Sequence, residues 1–208
     1  MENENFNNVG VEGFKELEGV KSLFQKVNCI GEENCFVIAY NRDYLPNAQV
    51  GNLNTAATIT GTKNGGIAGG VIGGLVANAV TNTVNNFQEE FMKSLDDSLK
   101  IIFNTNKYCG YLLNKTEKGI GFIPLVNDYK LMVRVEDFKT DLENYVFIKN
   151  EDIKGIEINK LPFYFSKKLL KITFNSEKNH STSWTFPMKH KLIKYQEENY
   201  LKFLDLIK

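Results

Sequence analysis

The side chains able to do chemistry are few and scattered. His180 and His190 are the only imidazoles. His180 lies between Asn179 and Ser181, in a stretch with the composition of a hairpin loop, and His190 follows Pro187 near the start of the last helical pattern. Neither stands at ligand spacing from a cysteine or from the other, so the pattern gives no zinc site. Cys29, Cys35 and Cys109 form no Cys-x-x-Cys pair and lie on apolar runs, where buried thiols are ordinary. An odd count of three reads as reduced thiols, not as a disulfide framework. The adjacent carboxylates Glu89–Glu90 and Asp96–Asp97 sit on a helical pattern and point to different faces, which suits a solvated surface better than acid–base catalysis. The frame GTKNGG from Gly61 to Gly66 has phosphate-loop spacing, but Ile67-Ala68 stands where Lys-Ser/Thr is needed and no strand precedes it. No nucleophile, base or oxyanion donor can be nominated. The expectation is a protein that is not an enzyme and takes no cofactor, metal or nucleotide.

Composition narrows the classes further. A chain of 208 residues holds a sizeable domain and can bury a real core. Twenty-five basic residues balance twenty-five acidic ones, so no global field draws in nucleic acid or an acidic membrane. The acidic, polar start MENENFNNVG is the reverse of a signal peptide, and the expected location is cytoplasmic, with membrane association through one segment left open.

That segment is GGIAGGVIGGLVANAVTNTV, from Gly65 to Val84. No charge occurs between Lys63 and Glu89, and glycine pairs recur with a strict spacing of four. Residues four apart share a helix face. Gly66, Gly70 and Gly74 would then lie beside Gly65, Gly69 and Gly73, a groove floored by bare backbone, with Ile72 and Leu75 among the apolar residues opposite. Six glycines cost a helix in water ~6 kcal/mol relative to alanine, so close packing against the groove must offset that. The apolar part, Gly65 to Val80, would reach only ~24 Å, short of a hydrocarbon core. A helix packed on protein is therefore expected first, shallow membrane contact second, and a disordered insertion third.

The other elements follow from periodicity. Val11 to Val27 fits an amphipathic helix, weakened by Gly13 and Gly19. Cys35 to Tyr40 is a β-branched and aromatic run, hence a strand, and Asn47 to Asn64 a polar loop. Phe87, Phe91, Leu95 and Leu99 continue a helical pattern whose end blurs at Ile101-Ile102-Phe103. Short strands follow at Tyr108–Leu113, Ile120–Val126, Leu131–Val135, Tyr145–Ile148, Ile153–Ile158, Leu169–Phe174 and Thr182–Phe186. The chain ends in a helix from Leu192 to Ile207 with Ile193, Tyr200, Leu204 and Ile207 on one stripe.

Short antiparallel strands closed by one amphipathic helix suit a strongly bent sheet or half-barrel with a plugged end. The segment YVFIKNEDIKGIEI, Tyr145 to Ile158, and the ending YQEENYLKFLDLIK resemble bacterial pleckstrin-homology-like (PH-like) domains. The resemblance, which covers roughly the second half, implies an α+β fold with 107–208 as the PH-like β-domain; the periodicity adds residues 1–34 as an N-terminal helical segment and 35–106 as an early strand plus Gly-rich helical insertion. The Asn114–Lys118 turn mixes charges and carries no basic phosphoinositide motif, so headgroup binding is not carried over. The expected function is a binding or assembly module. It would take a protein partner or a second copy through the glycine-zipper residues and the aromatic run Phe163-Tyr164-Phe165; the alternative is a peripheral membrane protein.

Overall fold

The computed structural model describes residues 12–41, 91–105, 107–127, 138–161, 166–176 and 179–207. Eight strands form one antiparallel sheet: β1 (Cys35–Asn41), β2 (Gly110–Lys115), β3 (Gly119–Asn127), β4 (Phe138–Thr140), β5 (Val146–Lys149), β6 (Ile153–Lys160), β7 (Lys167–Phe174) and β8 (Ser181–Pro187). Their order is β4-β3-β2-β1-β8-β7-β6, with β5 on the same outer edge of β3 as β4. The fold is α+β, as the sequence pattern implies. β1 pairs with both β2 and β8, so it is the middle of the sheet although residues 42–109 separate it from β2 in the chain. The strand expected at Leu131–Val135 and the loop at Asn47–Asn64 lie outside the described residues.

Two apolar cores follow from the alternation of side chains along each strand. One holds Val37, Tyr111, Leu113, Phe122, Ile172, Trp184 and Phe186, contributed by β1, β2, β3, β7 and β8. The other, on the opposite face of β1–β3, joins Phe36, Ile38, Leu112 and Ile123 to Phe14, Val20, Leu23 and Phe24. β1 and β2 are therefore buried along their whole length, which is why CFVIAY reads as an unbroken apolar run.

The helices depart from the periodicity in instructive places. The pattern from Val11 to Val27 is split into α1 (Glu12–Lys15) and α2 (Leu17–Lys26). A side chain at Gly19 would collide with the carbonyl of Gly13, so the two glycines that weakened the helix pattern let these turns approach closely. The pattern through Phe91 and Leu99 is also broken: residues 91–93 are helical, then Asp96 caps α3 (Asp97–Phe103), its carboxylate accepting from the Leu99 amide at 2.8 Å. Ile101-Ile102-Phe103 completes that helix and is not strand.

The last helix, α4 (Gln196–Leu206), begins four residues later than the periodicity suggests. Before it, His190 Nδ1 accepts from the amides of Leu192 (3.1 Å) and Ile193 (3.2 Å), holding a turn in place of helix. Ile193 thus enters the second core, while Tyr200 and Phe203 of α4 enter the first and stack near Phe186 at 5.1 and 5.3 Å. Leu204 and Ile207 are half-buried against the same core. Phe203, absent from the expected stripe, is the apolar residue that α4 buries completely. Among the described residues no helix is long and apolar enough to cross a membrane.

Candidate functional site

Gly66, Gly70, Gly74, Ile72 and Leu75 of the glycine zipper, and Phe163, Tyr164 and Phe165 of the aromatic run, all lie outside the described residues. The polar constellations within the described residues occur where elements meet. The first is the seam between β1 and α4. β8 pairs with β1 only at Tyr40 and Asn41, which leaves the Asn34–Ile38 edge of the strand without a β partner on that side. Gln196, Asn199 and Lys202, three apart on α4, supply one. Gln196 Oε1 accepts from the Ile38 amide at 2.9 Å, and its Nε2 donates to the carbonyls of Ile38 (3.4 Å) and Pro187 (2.8 Å). Asn199 Nδ2 donates to the Phe36 carbonyl at 2.9 Å and Lys202 Nζ to that of Asn34 at 3.0 Å. A side-chain amide carries the same donor and acceptor as a peptide, so the helix finishes a ladder that β8 abandons.

The second constellation closes the start of β1. Asn114 is fully buried; its Nδ2 donates to the Cys29 carbonyl at 2.7 Å and its Oδ1 accepts from the Cys35 amide at 3.1 Å. Beside it, Lys115 is buried and donates to the Thr116 carbonyl (2.7 Å) and Asn150 Oδ1 (3.0 Å). Burial pulls its pKa down. Glu117, in the β2–β3 turn, accepts from the Glu33 amide at 3.3 Å, and its carboxylate lies so close to Gly31 that a side chain there would have to displace it. These contacts tie the Gly31–Asn34 turn to the β2–β3 turn.

The groups with intrinsic reactivity are held for structure. Burial pushes the thiols of Cys35 and Cys109 up to about 12 and raises that of Cys29, the reverse of what a reactive thiolate needs. Ser176 Oγ meets His180 Nδ1 at 3.1 Å, but the same oxygen accepts from the His180 amide at 3.0 Å and the pair closes the β7–β8 turn, where Asn179 is left-handed at φ 49°. The His180 ring is half-buried and stands edge-on to Phe91 at 5.2 Å. Asp141 gathers Asn144 (2.9 Å), Lys107 (3.2 Å) and the Tyr108 hydroxyl (3.3 Å). Burial opposes its ionisation, yet the hydrogen bonds from Asn144 and Lys107 prevail and lower its pKa. Trp184 Nε1, Asn41 Oδ1 and Thr185 Oγ1 are buried without a hydrogen-bond partner.

Sequence reasoning missed Asn114, Gln196 and Asn199. Each belongs to a polar run, Asn114 to NKTEK and Gln196 and Asn199 to QEEN, which reads as a solvated turn or helix face and does not say which backbone groups will meet it. It also missed a local charge imbalance: Ile153 to Phe174 carries five lysines against one glutamate, a count the overall balance conceals. No family model matches this chain, and no match is found among curated proteins or solved structures.

Proposed function

We propose that this chain is a non-enzymatic binding or assembly module of PH-like, half-barrel architecture, which takes a protein partner or a second copy through its glycine-zipper stretch. The observation that carries this reading is the assignment of its buried polar side chains to the backbone. Asn114, Gln196 and Asn199 complete strand edges and turns, and the cysteine thiols are held protonated. Such a scaffold supports contacts made elsewhere on the chain, and the glycine stretch is where the sequence pattern alone calls for close packing. The half-barrel reading has support of its own. Phe122 on β3 and Trp184 on β8 stand 5.9 Å apart, although two strands lie between them in the sheet. The strands themselves would lie ~14 Å apart in a flat sheet, so the approach of the two rings supports a bent sheet, with the reach of the two long side chains spanning part of that distance.

The test is the triple variant Gly66→Leu/Gly70→Leu/Gly74→Leu. A groove that admits another backbone is filled by leucine, so sedimentation of the full chain should show assembly lost. Flotation with vesicles should not increase; an increase would favour the membrane reading, since leucine adds apolar surface. Unchanged mass, stability and flotation would remove the packing role.

A further inference from the structure

The sheet ends on two unlike edges. On one side β4 and β5 share the outer edge of β3, in pieces of three and four residues. On the other, β6 runs for eight residues. A strand turns its N–H and C=O groups alternately to its two sides. Among the described residues, the groups of Gly155 to Lys160 that point away from β7 meet no partner. Such an edge is a template for another strand, bounded at its start by the bulge between Ile153 and Gly155.

Side chains along this edge narrow the occupant. Ile156 and Ile158 face the first core yet are only half-buried, so that core is incompletely covered on its β6 side. Lys154 and Lys160, both exposed, bracket the two isoleucines. Glu157 is already paired with Lys171 at 3.2 Å. Lys160 also stands opposite Lys168 in register, and among the described residues neither of that pair is in an ion pair. With five lysines and one glutamate, Ile153 to Phe174 has net charge +4, so the remainder of this neutral chain carries −4. A second copy pairing through β6 would lay the same positive hairpin alongside, and like charges across strands oppose pairing. An acidic strand meets the same lysines with the opposite charge. The lysines therefore discriminate against self-pairing as well as in favour of an acidic partner.

We infer that the open edge of β6 takes an extended acidic peptide as an added strand. Its apolar centre lies against Ile156 and Ile158, and carboxylates at its ends meet Lys154 and Lys160. The backbone edge selects an extended chain, and the bracketing lysines select its charge. This edge is separate from the glycine stretch, so Gly66→Leu/Gly70→Leu/Gly74→Leu should keep peptide binding.

Fluorescence anisotropy of a labelled synthetic peptide, EEVTVTVEE, with the full chain tests the proposal, alongside hydrogen exchange of the chain. The peptide should bind saturably, weaken as salt rises and, when bound, slow exchange within Ile153–Lys160. KKVTVTVKK reverses the charge and EEVPVPVEE removes strand hydrogen bonds, so each should bind at least about tenfold more weakly. Lys160→Glu/Lys168→Glu should weaken EEVTVTVEE at least about tenfold. That variant keeps like charges opposite one another, so its melting midpoint should stay near wild type, which separates binding from folding. No saturable binding, equal binding of the three peptides, or protection of β6 that rises with chain concentration in the absence of peptide would overturn the proposal.

Discussion

β1 and β6 belong to one sheet and are built on opposite terms. Every residue of β1 is buried, whereas β6 contains no fully buried residue. β1 lies between two cores, with α2 on one face and α3 and α4 contributing to the other. β6 is an edge strand with one face on the first core and the other in water: Lys171 of β7 reaches Glu157 across it at 3.2 Å with both side chains partly solvated. A strand between two cores can hold only residues that pack. A strand with a wet face is free to carry charge, as the pair Glu157–Lys171 does. Burial is concentrated at the centre of the sheet and falls away toward its β6 edge. That division is the central claim.

The sharpest way to break the comparison is to remove an aromatic ring from the second core. Phe24→Ala deletes a fully buried side chain from α2 and should destabilise the fold by about 3–5 kcal/mol in denaturant melts. Ile156→Ala on β6, at a half-buried position, should cost less than half as much. Similar losses at both positions would erase the difference, and a loss below ~1 kcal/mol at Phe24 would make the N-terminal helices an appendage.

Smaller in effect is Gln196→Ala, which strips the partner from the Ile38 amide and the Pro187 carbonyl and should cost about 1–3 kcal/mol. Asn159→Ala on β6, whose side chain bonds Glu157 in solvent at 3.4 Å, should be within ~0.5 kcal/mol of wild type. A negligible effect at Gln196 would mean that α4 does not complete the β1 edge.

The last effect concerns the thiols and is absent at neutral pH. Cys35 and Cys109 are raised from 9.0 to about 12 in the folded chain. The unfolded chain therefore releases these protons first, so their contribution to stability is complete below pH ~9 and is lost as pH rises toward 12. Melting midpoints should fall across that window. Cys35→Ala/Cys109→Ala should flatten the fall, and an unchanged slope in that variant would reject the assignment.

Much of this architecture was legible in the sequence. Ile120–Val126 and Leu169–Phe174 were read as strands because β-branched and aromatic runs bounded by turn residues have few other uses. The sheet order was not legible. CFVIAY announces a buried strand, yet nothing local says that it pairs with residues beyond Tyr108 on one side and with Thr185 and Trp184 on the other. Helix limits failed where a side chain competed with the backbone, Asp96 by capping α3 and His190 by gathering two amides. Phe203 falls outside the expected stripe because that stripe runs through Ile193 as if it were helical, whereas the helix starts only at Gln196. The opposed pair Lys160–Lys168 needs register, which only the folded sheet supplies.

Hydrogen exchange of the free chain, resolved by peptide, tests the central claim most directly. Amides in Cys35–Asn41, Gly110–Lys115 and Gly119–Asn127 should exchange slowest, at rates set by global unfolding, and those of Ile153–Lys160 fastest among the long strands. Protection of β6 equal to or greater than that of β2 would contradict the division between a buried centre and a peripheral wing.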